Sequence, residues 1–371
     1  MKKLATPFFL LFTLHLLAQT HTHPHGRAIQ FPDVPGFRTL TCDFHIHTVF
    51  SDGSVWPDIR VQEAVRDSLD AISLTEHLEY QPRKEDIPHP DRNRAYQLAE
   101  QYARPYGLVV VPGSEITRDM PPGHANAIFI TDANKLLLND PVEAYREARR
   151  QGAFTFWNHP NWVAQQKDGI ATLSDMHRQL IADDLLHGIE VVNELTYSDE
   201  ALQIALDNNL TIMATSDIHG LVDWTFHVHE GGHRPVTLVF AEDKTAEAIK
   251  AALFARRTVA WHNNTLAGRP EHLIPLIRSS ISIAGADYQG PSSVVNVLLK
   301  NESDALFILA NRSNFTFHHD AGIVMLRPHQ TFKIEVKTRE QLERFDLVFE
   351  VLNAVTAPGQ HPAVTWTVEV K

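Results

Sequence analysis

From Thr39 onward short apolar runs alternate with amphipathic stretches, and the alternation stops near Pro270. A chain patterned in this way has few ways to bury itself, the principal one being parallel strands joined by helical crossovers. The runs 40–46, 71–74, 108–111, 153–156, 188–192 and 211–214 read as strands, with 236–240 as a seventh. Between them lie helix starts. Asp140 is a cap, Pro141 occupies the first helical position and Glu143 stands three residues after the cap. Ser198 opens a helix through Asp207 in the same manner, and Thr245 one through Arg256. Beyond Pro270 the runs 280–283, 294–300, 305–310, 331–336 and 364–370 read as strands separated by Gly, Pro, Asn and Asp turns, with a helical turn expected at 339–345. The expected fold is therefore an α/β domain of parallel strands and helical crossovers over residues 39–270, followed by an all-β, sandwich-like domain over 271–371.

Composition narrows the function. The chain carries 45 acidic against 33 basic side chains, a formal charge of -12, and has no dense Lys/Arg run. A protein that neutralises phosphates along a duplex needs such a run, so nucleic-acid duplex binding is not expected. Histidine is over-used, with 22 His against 17 Gly, which points to metal before any motif is read. Residues 1–18 read as a signal peptide: Lys2 and Lys3, an apolar run from Phe8 to Leu17, then Ala18. Export to the periplasm or medium is the expectation, with 19–38 as a linker containing His21, His23 and His25. No later apolar stretch is long enough to span a bilayer. The single cysteine, Cys42, excludes an intramolecular disulfide.

Metal-ligating residue types recur where the expected strands end. Asp43-Phe44-His45-Ile46-His47 closes the first run, and on a strand His45 and His47 share one face while Phe44 and Ile46 share the other. Ser51-Asp52-Gly53 follows. Glu76-His77 ends the second run, Gly113-Ser114-Glu115 the third and Asn158-His159-Pro160 the fourth, while Ser216-Asp217-Ile218-His219 ends the sixth. Gly123-His124-Ala125-Asn126 precedes a further apolar run. In a barrel the carboxyl ends of the strands converge on one rim, where ligands far apart in sequence meet. Imidazoles with carboxylates and no thiolates suit zinc, manganese or iron.

The order His-x-His, Asp, Glu-His, Glu, His, Asn-His-Pro and Asp-x-His resembles the PHP (polymerase and histidinol phosphatase) superfamily of metallohydrolases, and most resembles its bacterial Sb-PDE-type phosphodiesterase branch. The resemblance implies a distorted seven-stranded (β/α) barrel with three divalent ions at its mouth. His45, His47, Glu115 and Asp217 would hold the first ion. Glu115 would bridge to a second, completed by His124 and His159, and Asp52, His77 and His219 would hold the third. Such a centre converts bridging water to hydroxide for attack on a phosphate ester. The expected function is exported phosphodiester or organophosphorus ester hydrolysis of a small-molecule substrate. The alternatives are carbamate or carboxylic ester hydrolysis, phosphomonoester hydrolysis, and, outside enzymes, a periplasmic metal-binding protein. Arg118, just past Glu115, is the candidate phosphate clamp, and His229 or His262 the candidate proton donor to the leaving group. Glu76 either orients an imidazole or caps a loop, and Trp157 and Trp162 either wall the pocket or pack beneath it.

Overall fold

The computed structural model describes residues 28–370; the 1–18 leader and the His21, His23, His25 tract lie outside the described residues. The first domain contains β1 (Arg38–Ile46), β2 (Ala71–Leu74), β3 (Val109–Ile116), β4 (Ala125–Ile128), β5 (Phe154–Trp157), β6 (Gly188–Asn193), β7 (Thr196–Tyr197), β8 (Thr211–Thr215), β9 (Val236–Ala241), β10 (Thr258–His262) and β11 (Thr265–Gly268). Each of the seven runs read as strands forms one. The sheet, however, is mixed rather than parallel. Its order is β11-β10-β9-β1-β2-β3-β4-β5-β6-β7, with β8 also on β6. The pairs β1/β2, β2/β3, β5/β6 and β6/β8 are parallel, whereas β4 runs antiparallel to β3 and β5, and β9 to β1 and β10. The 117–124 loop between β3 and β4 is too short for a crossover, which takes a dozen residues or more, so the chain can only turn back.

The sheet curls until the turn after β8 meets the end of β1. Asp217 N donates to His45 O (2.9 Å), and His47 N donates to Ile218 O (3.1 Å). Two segments more than a hundred and fifty residues apart are thereby stitched together. The helices expected from their caps are present: Asp140 accepts from Val142 N and Glu143 N, Ser198 from Ala201 N, and Thr245 from Ala248 N.

Helix Pro270–Ser280 leads into the second domain, comprising β12 (Ile281–Tyr288), β13 (Val294–Asn301), β14 (Phe307–Asn311), β15 (Thr316–Phe317), β16 (Ile323–Leu326), β17 (Thr331–Lys337), β18 (Arg344–Val351), β19 (Ala354–Val355) and β20 (Ala363–Glu369). Two four-stranded sheets, β12-β13-β17-β15 and β16-β14-β18-β20, form its layers. The helical turn expected at 339–345 is not there; the chain enters β18 instead, where Phe345, Leu347, Phe349 and Val351 point inward. That alternation has period two, which a helix cannot bury on one side. The domains are joined by more than the connecting helix. β19 adds to β11 in parallel, and Leu266 N donates to Asn353 O (3.0 Å). Ile46 of the barrel, Leu273 of the helix and Phe349 of the sandwich belong to one apolar cluster. No helix among the described residues is long and apolar enough to cross a membrane.

Candidate metal centre

His45 and His47 emerge from the same face of β1 and are wholly buried, while Phe44 and Ile46 enter apolar clusters on the other side. Their Nε2 atoms lie 3.1 Å apart, and each is 3.1 Å from Asp217 Oδ1. Glu115, on β3, turns its two oxygens toward five imidazoles, the most distant being His47, whose Nε2 is 3.7 Å from Oε2. Its Oε1 is 3.1 Å from His124 Nδ1 and 3.5 Å from His159 Nε2 and His45 Nε2, and its Oε2 is 2.5 Å from His77 Nδ1. Asp52 completes the far side, with Oδ1 3.1 Å from His219 Nε2 and Oδ2 3.5 Å from His77 Nε2. The structure thus brings together all nine residues singled out from the strand ends. His47 and His77 connect the groups: His47 Nδ1 reaches within 3.7 Å of Asp52, and His77 lies close to both Asp52 and Glu115.

Local backbone geometry is specialised to hold this arrangement. Asp217 and His159 adopt positive φ (47° and 29°), sparsely populated conformations that persist where surrounding structure enforces them. Gly53 presses against β1 so closely that a Cβ would sit 2.7 Å from the His47 carbonyl carbon, which is why only glycine can follow Asp52.

The donors fit a set of cations. Asp52 Oδ1, Glu115 Oε2 and Asp217 Oδ1 are buried and accept no hydrogen bond, although imidazole nitrogens lie 2.5 to 3.1 Å from them. Oxygen and nitrogen lone pairs converge there without the alignment of donor and acceptor, as ligands of one ion do. Three groups of ligand atoms lie mutually within 4.8 Å: His45, His47 and Asp217; His77, Glu115 and His124; and His47, Asp52, His77 and His219. Burial, reinforced by the neighbouring His219 and His77, depresses His47 to about 3 against the pull of Asp217, so its ring stays unprotonated at neutral pH. For His77 burial acts downward but the Glu115 and Asp52 carboxylates outweigh it, raising it to about 10. Burial opposes ionisation of Glu115 and Asp217, yet the surrounding imidazoles hold both well below the usual carboxylate range.

Of the residues that support these donors, Glu190 and Arg60 were not singled out from sequence. Glu190, buried on β6, accepts from His45 Nδ1 (2.7 Å) and Thr215 Oγ1 (2.6 Å) with one oxygen, and from His159 N (2.6 Å) and Asn193 Nδ2 (2.8 Å) with the other. It thereby places the proton on His45 Nδ1 and leaves Nε2 facing the cluster. The available signal was a lone charge inside an apolar run. Glu190→Gln is expected to weaken metal affinity by about ten- to a hundredfold, measured by competition with a chelating dye; unchanged affinity would refute this role. Arg60, fully buried, donates to the carbonyls of His47 (2.9 Å), Ile218 (3.0 Å), His219 (3.0 Å) and Gly220 (2.7 Å), clasping the two stitched segments. Glu76 accepts from Thr48 Oγ1 and Ser51 Oγ (2.5 Å each), and Ser51 Oγ lies 3.2 Å from His47 Nδ1, so Glu76 holds the loop that orients this imidazole. Asn158 Nδ2 donates to Glu115 Oε1 (2.8 Å).

The aromatic residues divide. Trp157 is buried and stacks on His177 (3.9 Å between centroids), so it packs beneath the site. Trp162 is 45% exposed with its ring 5.7 Å from His124 and 5.1 Å from His159, and walls the mouth.

The three candidate catalytic residues lie apart from the nine. Arg118 pairs with Glu79 (2.8 Å) and donates to the carbonyls of Leu138 and Asn139, and among the described residues it contacts none of the nine. Among the described residues His229 meets His227 and Glu230, and His262 meets His233 and Asn263; neither contacts a member of the cluster. Burial, aided by His233, also lowers His262 to about 4, so its ring is neutral imidazole and not the acidic imidazolium at neutral pH. Besides the buried Arg60, a guanidinium beside the cluster belongs to Arg83, whose Nη2 donates to Asp52 O (3.2 Å) and which pairs with no carboxylate among the described residues.

A curled α/β domain carrying nine converging imidazoles and carboxylates, followed by a β-sandwich, defines the class as a two-domain metallohydrolase fold. Comparison with solved structures agrees. A two-domain protein from Bacteroides vulgatus ATCC 8482, containing a predicted PHP-like metal-dependent phosphoesterase, is 40% identical over 92% of this chain and 98% of its own, with a TM-score of 0.86. The chain belongs to this PHP-like family. A predicted metal-dependent phosphoesterase from Bifidobacterium adolescentis ATCC 15703 shares 16% identity over 48% of this chain and 87% of its own, with a TM-score of 0.37. A family model described as an Ig-like domain matches residues 281–367. No curated protein matches the chain.

Proposed function

We propose that the chain is an exported phosphodiesterase whose nine converging donors hold three divalent ions. The observation that carries this reading is the meeting, on one rim, of His and carboxylate side chains from six separate segments with their ligand atoms turned toward one another. His45, His47, Asp217 and Glu115 would hold one ion, Glu115 with His124 and His159 a second, and Asp52, His77 and His219 the third. When bound, zinc, manganese or iron supplies a nucleophile at neutral pH and neutralises phosphoryl oxygens.

The remaining work falls to the chain itself. Glu190, Asn158 and Arg60 keep the donors in register, and Trp162 shields the mouth from solvent on the side of His124 and His159. Arg83 supplies the cation that Arg118 was expected to supply, its remaining N–H groups being available to a non-bridging phosphate oxygen. Arg83→Ala is expected to cost about 2 kcal/mol, roughly thirtyfold in kcat/KM, on a phosphodiester. A neutral carboxylic ester should lose much less, and equal losses on both would remove Arg83 from phosphate recognition. Export and diester preference follow the leader-like residues 1–18 and the resemblance to the phosphodiesterase branch.

The decisive test measures metals per chain, then rates on activated phosphomonoester, diester, triester and carboxylic ester substrates with and without chelator. Diester hydrolysis should be fastest and should vanish with chelator. Faster carboxylic ester turnover, or no hydrolysis by fully loaded protein, would overturn the reading.

A further inference from the structure

A second gathering of metal-ligating side chains lies in the C-terminal domain, outside the catalytic cluster. His318 and His319 follow β15, and Glu335 stands on the neighbouring β17. One nitrogen of each imidazole and one oxygen of the carboxylate lie mutually within 4.8 Å. His319 Nε2 is 3.2 Å from Glu335 Oε2, and the two imidazole rings are 4.5 Å apart. Lys333 Nζ occupies the other carboxylate oxygen at 2.8 Å, which turns Oε2 toward the histidines.

The place of this cluster in the sheet gives it a purpose. β15 is the edge strand of β12-β13-β17-β15 and is two residues long, registered to β17 only through Thr316↔Lys337 and Phe317↔Val336. His318 N adds one bond, to Glu335 O (2.7 Å). So short an edge has little to resist fraying. A ligand shared between His318 or His319 and Glu335 would cross-link the edge to its neighbour at the point where backbone pairing ends.

We propose that His318, His319 and Glu335 form a separate metal site that takes a zinc- or nickel-class divalent ion and staples β15 to β17. Two imidazoles with one carboxylate select such borderline ions over magnesium or calcium, which require mostly oxygen. The site opens to solvent, His319 being 70% exposed along its side chain, so water completes the shell and the ion exchanges freely. Because it binds the folded sheet and not the frayed edge, the ion stabilises the edge by mass action. The proposal does not rest on the catalytic reading.

The test uses the full chain and zinc alone. Calorimetric titration compares the wild type with His319→Ala and Glu335→Gln, and hydrogen exchange follows the peptide 315–319 with and without zinc. Each variant should bind one zinc fewer per chain than the wild type. Zinc should slow exchange of this peptide at least severalfold in the wild type and leave it unchanged in the variants, while ester hydrolysis is the same in all three. Equal zinc stoichiometry and affinity in the three proteins would overturn the site, and unchanged exchange in zinc-loaded wild type would overturn the staple.

Discussion

Asp217→Asn should lower turnover by at least about a thousandfold, about 4 kcal/mol of transition-state stabilisation, while leaving the fold intact. The substitution keeps the size and shape of the side chain but removes a negative charge within 3.1 Å of both His45 and His47. Its backbone role is unaffected, because the bond from residue 217 N to His45 O does not involve the side chain. Circular dichroism should match the wild type, and metal analysis should show loss of an ion. If the variant retained most of its activity with a full metal complement, Asp217 would be no ligand.

Arg234→Ala carries the largest expected effect on stability. The guanidinium is fully buried and pairs with Asp43 Oδ2 (3.2 Å) and Asp67 Oδ2 (2.8 Å). Asp43 in turn accepts from Ser216 N (3.1 Å) and Ser216 Oγ (2.6 Å), immediately before Asp217. Removing the arginine leaves a carboxylate buried without its cation, which costs about 3–5 kcal/mol. Urea unfolding should report this loss. Burial already pushes the Asp43 carboxyl up, with Arg234 the main force holding it down. In the variant that carboxyl rises further, so Asp43 goes neutral as pH falls through its folded-state value, and the stability deficit should shrink toward acid pH. A deficit independent of pH, or one below about 1 kcal/mol, would mean that Asp43 is solvated in the variant and the pair is dispensable.

Much of the candidate site was legible because ligand chemistry restricts residue type. His45, His47, Asp52, His77, Glu115, His124, His159, Asp217 and His219 stand out as groups too costly to bury singly, placed at expected strand ends or in the loops beside them. The residues that hold them were harder to find. Glu190 sits in a run that otherwise reads as plain core, and Arg60 lies on helix Pro57–Arg66 like any surface cation; what they touch depends on segments up to 160 positions away. Arg118 and Arg83 show the same limit. Both are near site residues in sequence, but Glu79 claims the first, whereas the second lies against the Asp52 carbonyl.

Sequence by itself determined the two-domain division, seven of the strands in the curled sheet and the helix caps, and it put forward the nine candidate donors, because hydrophobic period, capping chemistry and metal-ligand types are properties of a residue and its near neighbours. Tertiary structure alone decided the direction of β4 and β9, the identity of β18 as a strand, the separation of His229 and His262 from the cluster and the β19 graft onto the barrel edge. Strand direction and side-chain convergence are set by long-range pairing, in which Ile46 meets Ile218 and Ala354 meets Leu266. Local pattern records that a strand must pair and be buried, but the choice of partner is made only when the whole sheet assembles and curls.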